Sequence, residues 1–387
     1  MAGKSIDFAK RRPLFADRIQ SMTFKHSFPV WTLACPALAW VLFAAKGISS
    51  SNYYSILLGI ALVGAILAAV YHAEVVAHRV GEPFGTLVLA IAVTVIEASL
   101  IISLMLSGHD VETLARDTVL AAIMIILTAI IGLSLLFGSF KHREQTFELQ
   151  GVNAAMAAII AIAGITMILP NYTTSIPGPQ YTSRQLGFVA IVTLIIYGTF
   201  VFVQTIKHRD YFLPPVPTSP SADDPAGTLE HAEPPSGRTA LTSLLMLLVS
   251  LVVVVVLAES LAPGIEHWIE EKGAPKSLVG IMISAVVLMP EGISAVKAAR
   301  KNRLQTSLNL ALGSALASMG LTIPVVAFAA MIYGWKLELG MDPKAMVLLL
   351  LSYFIVSLSL RTGRTNILQG VILLLFFGIY LFVTLFP

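Results

Sequence analysis

Two glutamates lie inside apolar segments of the chain, where an ionisable side chain is unusual. Glu97 stands in AVTVIEASLI at 92–101, and Glu291 stands in VLMPEGISAV at 287–296. A charge at the centre of a bilayer costs about 2.5–3.5 kcal/mol on insertion scales, so such residues face the protein interior and are candidates for function. Carboxylates are hard ligands that suit Ca²⁺, Na⁺ or H⁺, and without His or Cys beside them they do not favour Zn²⁺ or Cu²⁺.

Two such carboxylates close together could hold protons and a cation in turn. Like charges disfavour ionisation of both groups, whereas a bound divalent cation compensates both charges. This is the chemistry of a cation/proton exchanger. The structural alternative is that each glutamate only bonds to a neighbouring helix.

The composition is that of a polytopic membrane protein. Of the 387 residues, 56% are hydrophobic and only 12% are charged, whereas soluble domains carry about 25% charged residues. A membrane span needs about 20 mainly apolar residues. Eleven segments satisfy this requirement: 28–46, 53–76, 83–107, 117–140, 149–169, 186–206, 239–262, 276–299, 304–333, 344–361 and 366–386. We therefore predict an all-α membrane protein with about eleven transmembrane helices. The segment 304–333 is long enough to be tilted or broken, and Pro324 predicts a kink in it.

The basic residues predict how these spans are oriented. With a cytoplasmic N-terminus, 18 of the 25 Lys and Arg residues fall on the cytoplasmic side, as the positive-inside rule requires. The C-terminus then lies outside. The compact chain has no visible targeting segment, which favours a bacterial inner membrane. The single cysteine, Cys35, excludes an internal disulfide framework.

One long hydrophilic stretch divides the chain into two halves. Residues 207–238 contain seven prolines and no apolar period, so we interpret them as a flexible cytoplasmic linker. The predicted organisation is an N-terminal arm with a leading helix (1–52), a five-helix unit (53–206), the linker (207–238) and a second five-helix unit (239–387). Two five-helix units that begin on opposite sides of the membrane form an inverted repeat, a transporter architecture. Glu97 and Glu291 then lie at equivalent depths.

Polar residues at helical spacing are candidates to complete a cation site. Thr94 precedes Glu97 by one turn, and Pro290 removes a backbone donor beside Glu291, which frees a carbonyl near Val286. In 304–333, small and polar residues share roughly one helix face: Asn309, Gly313, Ser314, Ser318 and Thr322. The candidate ligands are therefore Thr94, Asn309, Ser314 and Ser318. The alternative is that the small residues only mark close helix packing.

A second pair of glutamates flanks the first. Glu74 lies near the cytoplasmic end of the second span, and Glu259 lies near the outer end of the seventh. Their positions are equivalent under inversion and predict a gate or a proton path at each mouth, although solvated helix ends are the alternative. His72 and His78 near Glu74 are candidates for sensing cytoplasmic pH, with ordinary interfacial histidines as the more favoured interpretation.

These segments resemble the cation/proton exchanger branch of the calcium/cation exchangers, including its bacterial calcium/sodium–proton antiporters. Four segments carry the resemblance: residues 74–101, 257–266, 288–326 and 363–370. It implies an eleven-span fold, cation-site roles for Glu97 and Glu291, and gating or proton-path roles for Glu74 and Glu259.

The chain departs from that family at several neutral positions. The usual Gly-Asn-x-x-Glu signature is replaced by VTVIE and VLMPE, a Gly-Ser pair by Ala121-Ala122, and an expected glutamine by Ala317. These departures remove neutral oxygen ligands but leave both carboxylates. They keep Na⁺ and K⁺ beside Ca²⁺ as candidate ions.

The predicted function is secondary active antiport of Ca²⁺, with Na⁺ or K⁺ as alternatives, in exchange for H⁺ by alternating access. The sequence has no G-x-x-x-x-G-K-[ST] motif. We expect no cofactor, no enzymatic activity and no nucleic-acid partner, and only inorganic cations, protons and membrane lipid as ligands. The rivals are a carboxylate-lined cation channel, sodium/calcium exchange without proton coupling and, least favoured, an intramembrane enzyme. The oligomeric state stays open.

Overall fold

The protein is almost entirely helical in the part of the chain that its structure, a computed structural model, describes. These residues are 28–45, 52–80, 84–106, 112–213, 235–271, 273, 275 and 277–386. The predicted N-terminal arm up to residue 27 and linker residues 214–234 lie outside the described residues. The predicted all-α class is confirmed.

The leading helix and the first half contain seven α-helices. They are α1 (Val30–Ala44), α2 (Asn52–Val80), α3 (Phe84–Leu106), α4 (Leu114–Met124), α5 (Ile131–His142), α6 (Leu149–Ala163) and α7 (Ser183–Phe202). Turns of π-helix continue three of them: Ile125–Ile130 joins α4 to α5, Gly164–Ile168 extends α6, and Val203–Lys207 extends α7. Two 3₁₀ turns follow α6 and α7, at Leu169–Tyr172 and Arg209–Phe212.

The second half repeats this order after residue 235. Its helices are α8 (Gly237–Glu271), α9 (Ser277–Val287), α10 (Met289–Arg300), α11 (Leu304–Ala317), α12 (Ile323–Tyr333), α13 (Pro343–Leu360) and α14 (Ile367–Leu385). A π turn, Ser318–Thr322, joins α11 to α12. The third helix of each half, α4–α5 and α11–α12, is thus interrupted by a π turn.

The lengths and compositions of these helices fit a membrane protein. Eight helices of the described part are long and apolar enough to cross a membrane, and the bent pair α9–α10 makes a ninth candidate. Two further apolar helices, Val30–Ala44 and the Ile91–Leu106 part of α3, are shorter. Each of the eleven predicted segments contains a helix, while the count of eleven spans stays a prediction.

A bend interrupts the helix that carries Glu291. The axes of α9 and α10 differ by 54° across the break at Leu288. The amide of Leu288 still bonds to the carbonyl of Ser284 at 2.9 Å, but Pro290 has no amide to continue the ladder. The proline therefore accounts for a sharp bend directly before the carboxylate.

The long segment 304–333 remains a single span of 30 residues. Its predicted disturbance takes the form of the π turn Ser318–Thr322, which ends two residues before Pro324. A π turn widens the helix locally and accommodates a proline that cannot bond to the preceding turn.

Loops of the two halves pair with each other at two places. Strand β1 (Gln145–Thr146), between α5 and α6, pairs antiparallel with β2 (Arg364–Thr365), between α13 and α14. A second bridge joins Gln180, between α6 and α7, to Glu338, between α12 and α13. Each bridge thus links a third-to-fourth helix loop of one half to a fourth-to-fifth helix loop of the other, which is the reciprocal pattern expected for inverted repeats.

The buried apolar residues form two separate clusters. The central cluster contains side chains of α4–α7, α10–α14 and the C-terminal part of α3 from Ile101. The α2–α8 cluster contains side chains of α1, α2, α8 and the first part of α3, with Val287 at the end of α9. Helices α2 and α8 pack closely along each other.

The two loop bridges give a test of the predicted orientation. Lys336 near one bridge and Arg364 in the other are both exposed. In a Cys35→Ser background, we expect an impermeant maleimide to label Lys336→Cys in intact cells and Arg364→Cys in everted vesicles, because opposite faces should carry them. Labelling of both cysteines from the same side would contradict the orientation.

Candidate functional site

Glu97 is buried and hydrogen-bonded inside the protein. Its side chain is 3% exposed, and Thr322 donates from Oγ1 to its Oε2 at 3.2 Å. Ser318 also forms a side-chain hydrogen bond with Glu97. Both hydroxyls come from the π turn, where residues four apart lie on one face and α3 packs against them. The carboxylate of Glu97 is therefore held in place by two neutral donors.

Glu291 is equally buried but lacks such partners. It is 7% exposed and lies in the first turn of α10, just after the bend. Apart from its own backbone amide, neither Oε1 nor Oε2 has a hydrogen-bond partner among the described residues. The π turn Ile125–Ile130 packs against α10, and a Cβ placed on Gly292 would lie 3.4 Å from Ile130.

The two glutamates interact electrostatically, since Glu291 experiences the charges of Glu97 and Glu74. They lie on the boundary between the two apolar clusters. Beside Glu97, Ile96 belongs to the α2–α8 cluster, and Ile101, one turn further along α3, belongs to the central cluster. Beside Glu291, Val287 and Leu288 divide in the same way.

The two carboxylates differ in how strongly their surroundings stabilise a negative charge. A hydrogen bond to a charged group contributes about 1.5–3 kcal/mol, and Glu97 has two from hydroxyls. Glu291 has the N-terminus of α10 instead, whose dipole contributes at most about 2 kcal/mol. A buried carboxylate without donors is costly unless it is protonated or paired with a cation. The arrangement therefore suits alternate binding of protons and a cation.

The other predicted ligands lie at different distances from this pair. Thr94 is buried three residues before Glu97, and Ser314 is half-buried one turn before Ser318. Asn309 is nine residues before Ser318, which is about 13 Å along the helix. Its amide nitrogen donates to the carbonyl of Phe212 at 2.6 Å, and its oxygen accepts from Gln305 at 2.9 Å. The structure thus engages Asn309 at the start of the linker and does not bring it to Glu97.

The two flanking glutamates, Glu74 on α2 and Glu259 on α8, are both exposed. Glu74 experiences the charges of His78 and Lys297. Glu259 accepts a hydrogen bond from Ser103 at 3.2 Å, so α8 is linked to the end of α3. Ser103 lies six positions after Glu97, and Lys297 lies six positions after Glu291. The partners of the two flanking glutamates are therefore equally far along the chain from the buried glutamates.

The two histidines have different surroundings. His72 is fully buried, with Nε2 3.3 Å from the carbonyl of Thr32 in α1 and its ring packed edge-on against Phe28 and Tyr71. His78 is exposed. His72 therefore contacts the leading helix and is not oriented as an interfacial side chain.

Two buried hydroxyl residues were not among the predicted ligands. Thr322 contacts Glu97 directly, and its place one turn after Ser318 on the polar face was the available signal. Ser284, one turn before the bend, donates to the carbonyl of Thr118 at 2.8 Å. Close approach of α9 to α4 at Gly280 allows this bond, because a Cβ there would lie 3.0 Å from the amide of Thr118. A lone serine gives no sequence signal of that contact.

No group of three or more His, Cys, Asp or Glu side chains in the described ranges is arranged to hold a metal ion.

Three relatives of known name are similar to the chain over most of its length. The protein y4hA of Sinorhizobium fredii is 42% identical, over 97% of this chain and 95% of its own. The sodium-potassium/proton antiporter ChaA of Escherichia coli is 33% identical, over 90% of this chain and 94% of its own. A Ca²⁺/H⁺ antiporter of Aphanothece halophytica is 27% identical, over 78% of this chain and 81% of its own.

The fold is also similar to that of a solved structure. Native YfkE superposes with a TM-score of 0.71 at 15% identity, covering 92% of this chain and 99% of that chain. The family model of the sodium/calcium exchanger protein matches two stretches of the chain, residues 50–206 and 242–386. The chain therefore belongs to the sodium/calcium exchanger protein family and is a membrane ion transporter, not an enzyme.

Proposed function

We propose that this protein exchanges Ca²⁺, with Na⁺ and K⁺ as alternative cargoes, for H⁺ at a site formed by Glu97 and Glu291. The two carboxylates hold either protons or a cation. Alternating access then exposes the site to each side of a bacterial inner membrane. Glu74 and Glu259 are proposed as the gating or proton-path residues of the two mouths.

The buried glutamate pair is the observation that carries this proposal. Both side chains are at most 7% exposed, they interact electrostatically, and the two oxygens of Glu291 lack other side-chain partners in the described part of the chain. A cation would supply the charge compensation that this boundary lacks. Protons would supply it when the cation has left.

The choice of cation is supported from two directions. Two carboxylates with hydroxyl oxygens form a hard donor set that suits Ca²⁺. The more similar of the two named antiporters is a sodium-potassium/proton antiporter, and the other is a Ca²⁺/H⁺ antiporter. Both of these relatives are named as proton antiporters, which supports proton coupling whichever cation is carried.

A flux experiment with the purified protein tests the proposal. We expect proteoliposomes with an imposed pH gradient to lose it when Ca²⁺, Na⁺ or K⁺ is added, as followed by a trapped pH indicator. Protein-free liposomes are the control. The panel should also be run without sodium, because exchange that requires sodium and moves no protons would replace proton antiport with sodium/calcium exchange.

A channel would give a different result. It would conduct the cation down its own gradient, and a pH gradient would not shift its reversal potential. Cation flux with that behaviour, or no proton flux with any cation of the panel, would overturn the proposed exchange.

A further inference from the structure

Thr322 makes a hydrogen bond that is unusual for its place in a helix. A helical threonine commonly donates to the carbonyl four residues earlier. Three other threonines of described π turns do so: Thr128 to Met124, Thr166 to Ile162 and Thr205 to Val201. Thr322, which is 0% exposed, donates to the carboxylate of Glu97 instead.

The π turn that carries Thr322 is packed against other helices besides α3. Helix α7 packs on this turn, and a Cβ on Gly320 would lie 2.7–2.8 Å from Tyr197. Pro324 follows within α12 and restricts the backbone further. The hydroxyl of Thr322 is therefore held towards Glu97 by the packing of the backbone around it.

The number of oxygen ligands that an ion takes connects the position of Thr322 to the selectivity for that ion. Thr322 keeps both lone pairs while donating its proton, so its oxygen is available as a neutral ligand to an ion bound by Glu97. Ca²⁺ takes six to eight oxygen ligands. The loss of one neutral oxygen is therefore felt more by Ca²⁺ than by a less highly charged ion.

We propose that Thr322 is a positioning and specificity-determining residue, which holds Glu97 through Oγ1 and favours Ca²⁺ over Na⁺ and K⁺. This inference rests on the proposed function, since it assumes that Glu97 binds the transported ion. With Ser318, Thr322 supplies hydroxyl oxygens of a kind that residues 287–290, directly before Glu291, do not carry.

Four forms of the full chain test the role: wild type, Thr322→Val, Thr322→Ser and the matched control Thr166→Val. Valine keeps the shape of threonine and removes the hydroxyl, whereas serine keeps the hydroxyl. Thr166 is also fully buried in a π turn, but it bonds to its own backbone. The measured quantity is the ratio of kcat/KM for Ca²⁺ to that for Na⁺ in proteoliposomes.

We expect Thr322→Val to lower this ratio about fivefold, the effect of one ordinary hydrogen-bonding group. Thr322→Ser should restore the ratio to within twofold, and Thr166→Val should leave it unchanged. A parallel measurement compares the shifts in Tm that Ca²⁺ and Na⁺ produce in the purified forms, which reports binding without transport.

The inference is overturned if Thr322→Val keeps the wild-type preference in both measurements, if serine does not rescue it, or if Thr166→Val changes it equally. If Thr322→Val keeps the wild-type preference and the wild-type protein exchanges cations for protons, the role given to Thr322 is wrong and the proposed exchange stands. An inactive wild type would instead contradict the proposed function, and the Tm comparison would still decide the role of Thr322.

Discussion

Replacing Glu291 by glutamine is expected to abolish cation-driven proton flux. Glutamine keeps the shape of the side chain but can neither release a proton nor compensate a cation. Removing one partner of a buried ion pair, here the carboxylate that would pair with the bound cation, costs about 3–5 kcal/mol, which corresponds to a loss of about 150-fold to 5,000-fold. The measurement is the dissipation of a pH gradient by Ca²⁺, Na⁺ or K⁺ in everted vesicles.

Matched variants separate this effect from general damage. Glu97→Gln should lose transport to the same degree, because both carboxylates compensate the same ion. Glu144→Gln makes the same chemical change at an exposed glutamate outside the site and should transport like wild type. Normal transport by Glu291→Gln, at wild-type expression, would show that the buried pair is not the exchange site.

Replacing Gly320 by alanine is expected to damage both the fold and transport. The added Cβ would lie 2.7 Å from Cδ2 and 2.8 Å from Cβ of Tyr197, and the Cβ atom cannot rotate away. Overpacking of this kind costs about 1–3 kcal/mol. The π turn must shift to relieve it, which would carry Ser318 and Thr322 away from Glu97. We expect a lower Tm and about tenfold or greater loss of proton flux.

Gly313→Ala is the control for this prediction. Gly313 lies in the same span, two turns earlier, and a Cβ there would meet nothing within 4 Å. Alanine also has the higher helix propensity. The Tm and the proton flux of Gly313→Ala should therefore stay at wild-type values. Equal behaviour of the two variants would mean that the contact of Gly320 with Tyr197 does not hold the π turn in place.

The helices and the two carboxylates could be predicted because their signals are local. A glutamate within an apolar helix is visible in the sequence, and matching depths in the two halves brought Glu97 and Glu291 together as a pair. The structure buries both side chains, and their joint role as a cation site stays a prediction. Pro290 likewise marked the place where the structure has its 54° bend.

The ligand shell could be predicted only in part, because it depends on contacts between distant segments. Asn309 and Thr322 share one helix face in the sequence, but only Thr322 reaches Glu97. Asn309 is drawn to the carbonyl of Phe212, which comes from a 3₁₀ turn 97 residues earlier. Helical spacing specifies a face, whereas packing against other segments decides what each turn of that face contacts.

The sequence also could not predict which kind of irregularity, a π turn or a kink, interrupts the helix. Pro324 predicted a kink, but the structure has a π turn at Ser318–Thr322. The segment Leu304–Tyr333 remains one candidate span. Ser318 and Thr322, which contact Glu97, are the first and last residues of that turn. A residue-by-residue propensity cannot distinguish a π turn from a kink, since both relieve the same missing amide.

The division of the core into two clusters makes the protein two bodies in a mechanical sense. Loop bridges join the halves of the central cluster at two places, so it should behave as a stiff frame. Helices α1, α2 and α8 carry no strand pairing in the described residues and pack mainly on each other and on α3. Glu97 and Glu291 lie where the frame meets this bundle. If the proposed exchange takes place at this boundary, a sliding of the bundle along the frame would move the ion's exit from one aqueous phase to the other. Such a motion re-forms one boundary while both interiors stay packed.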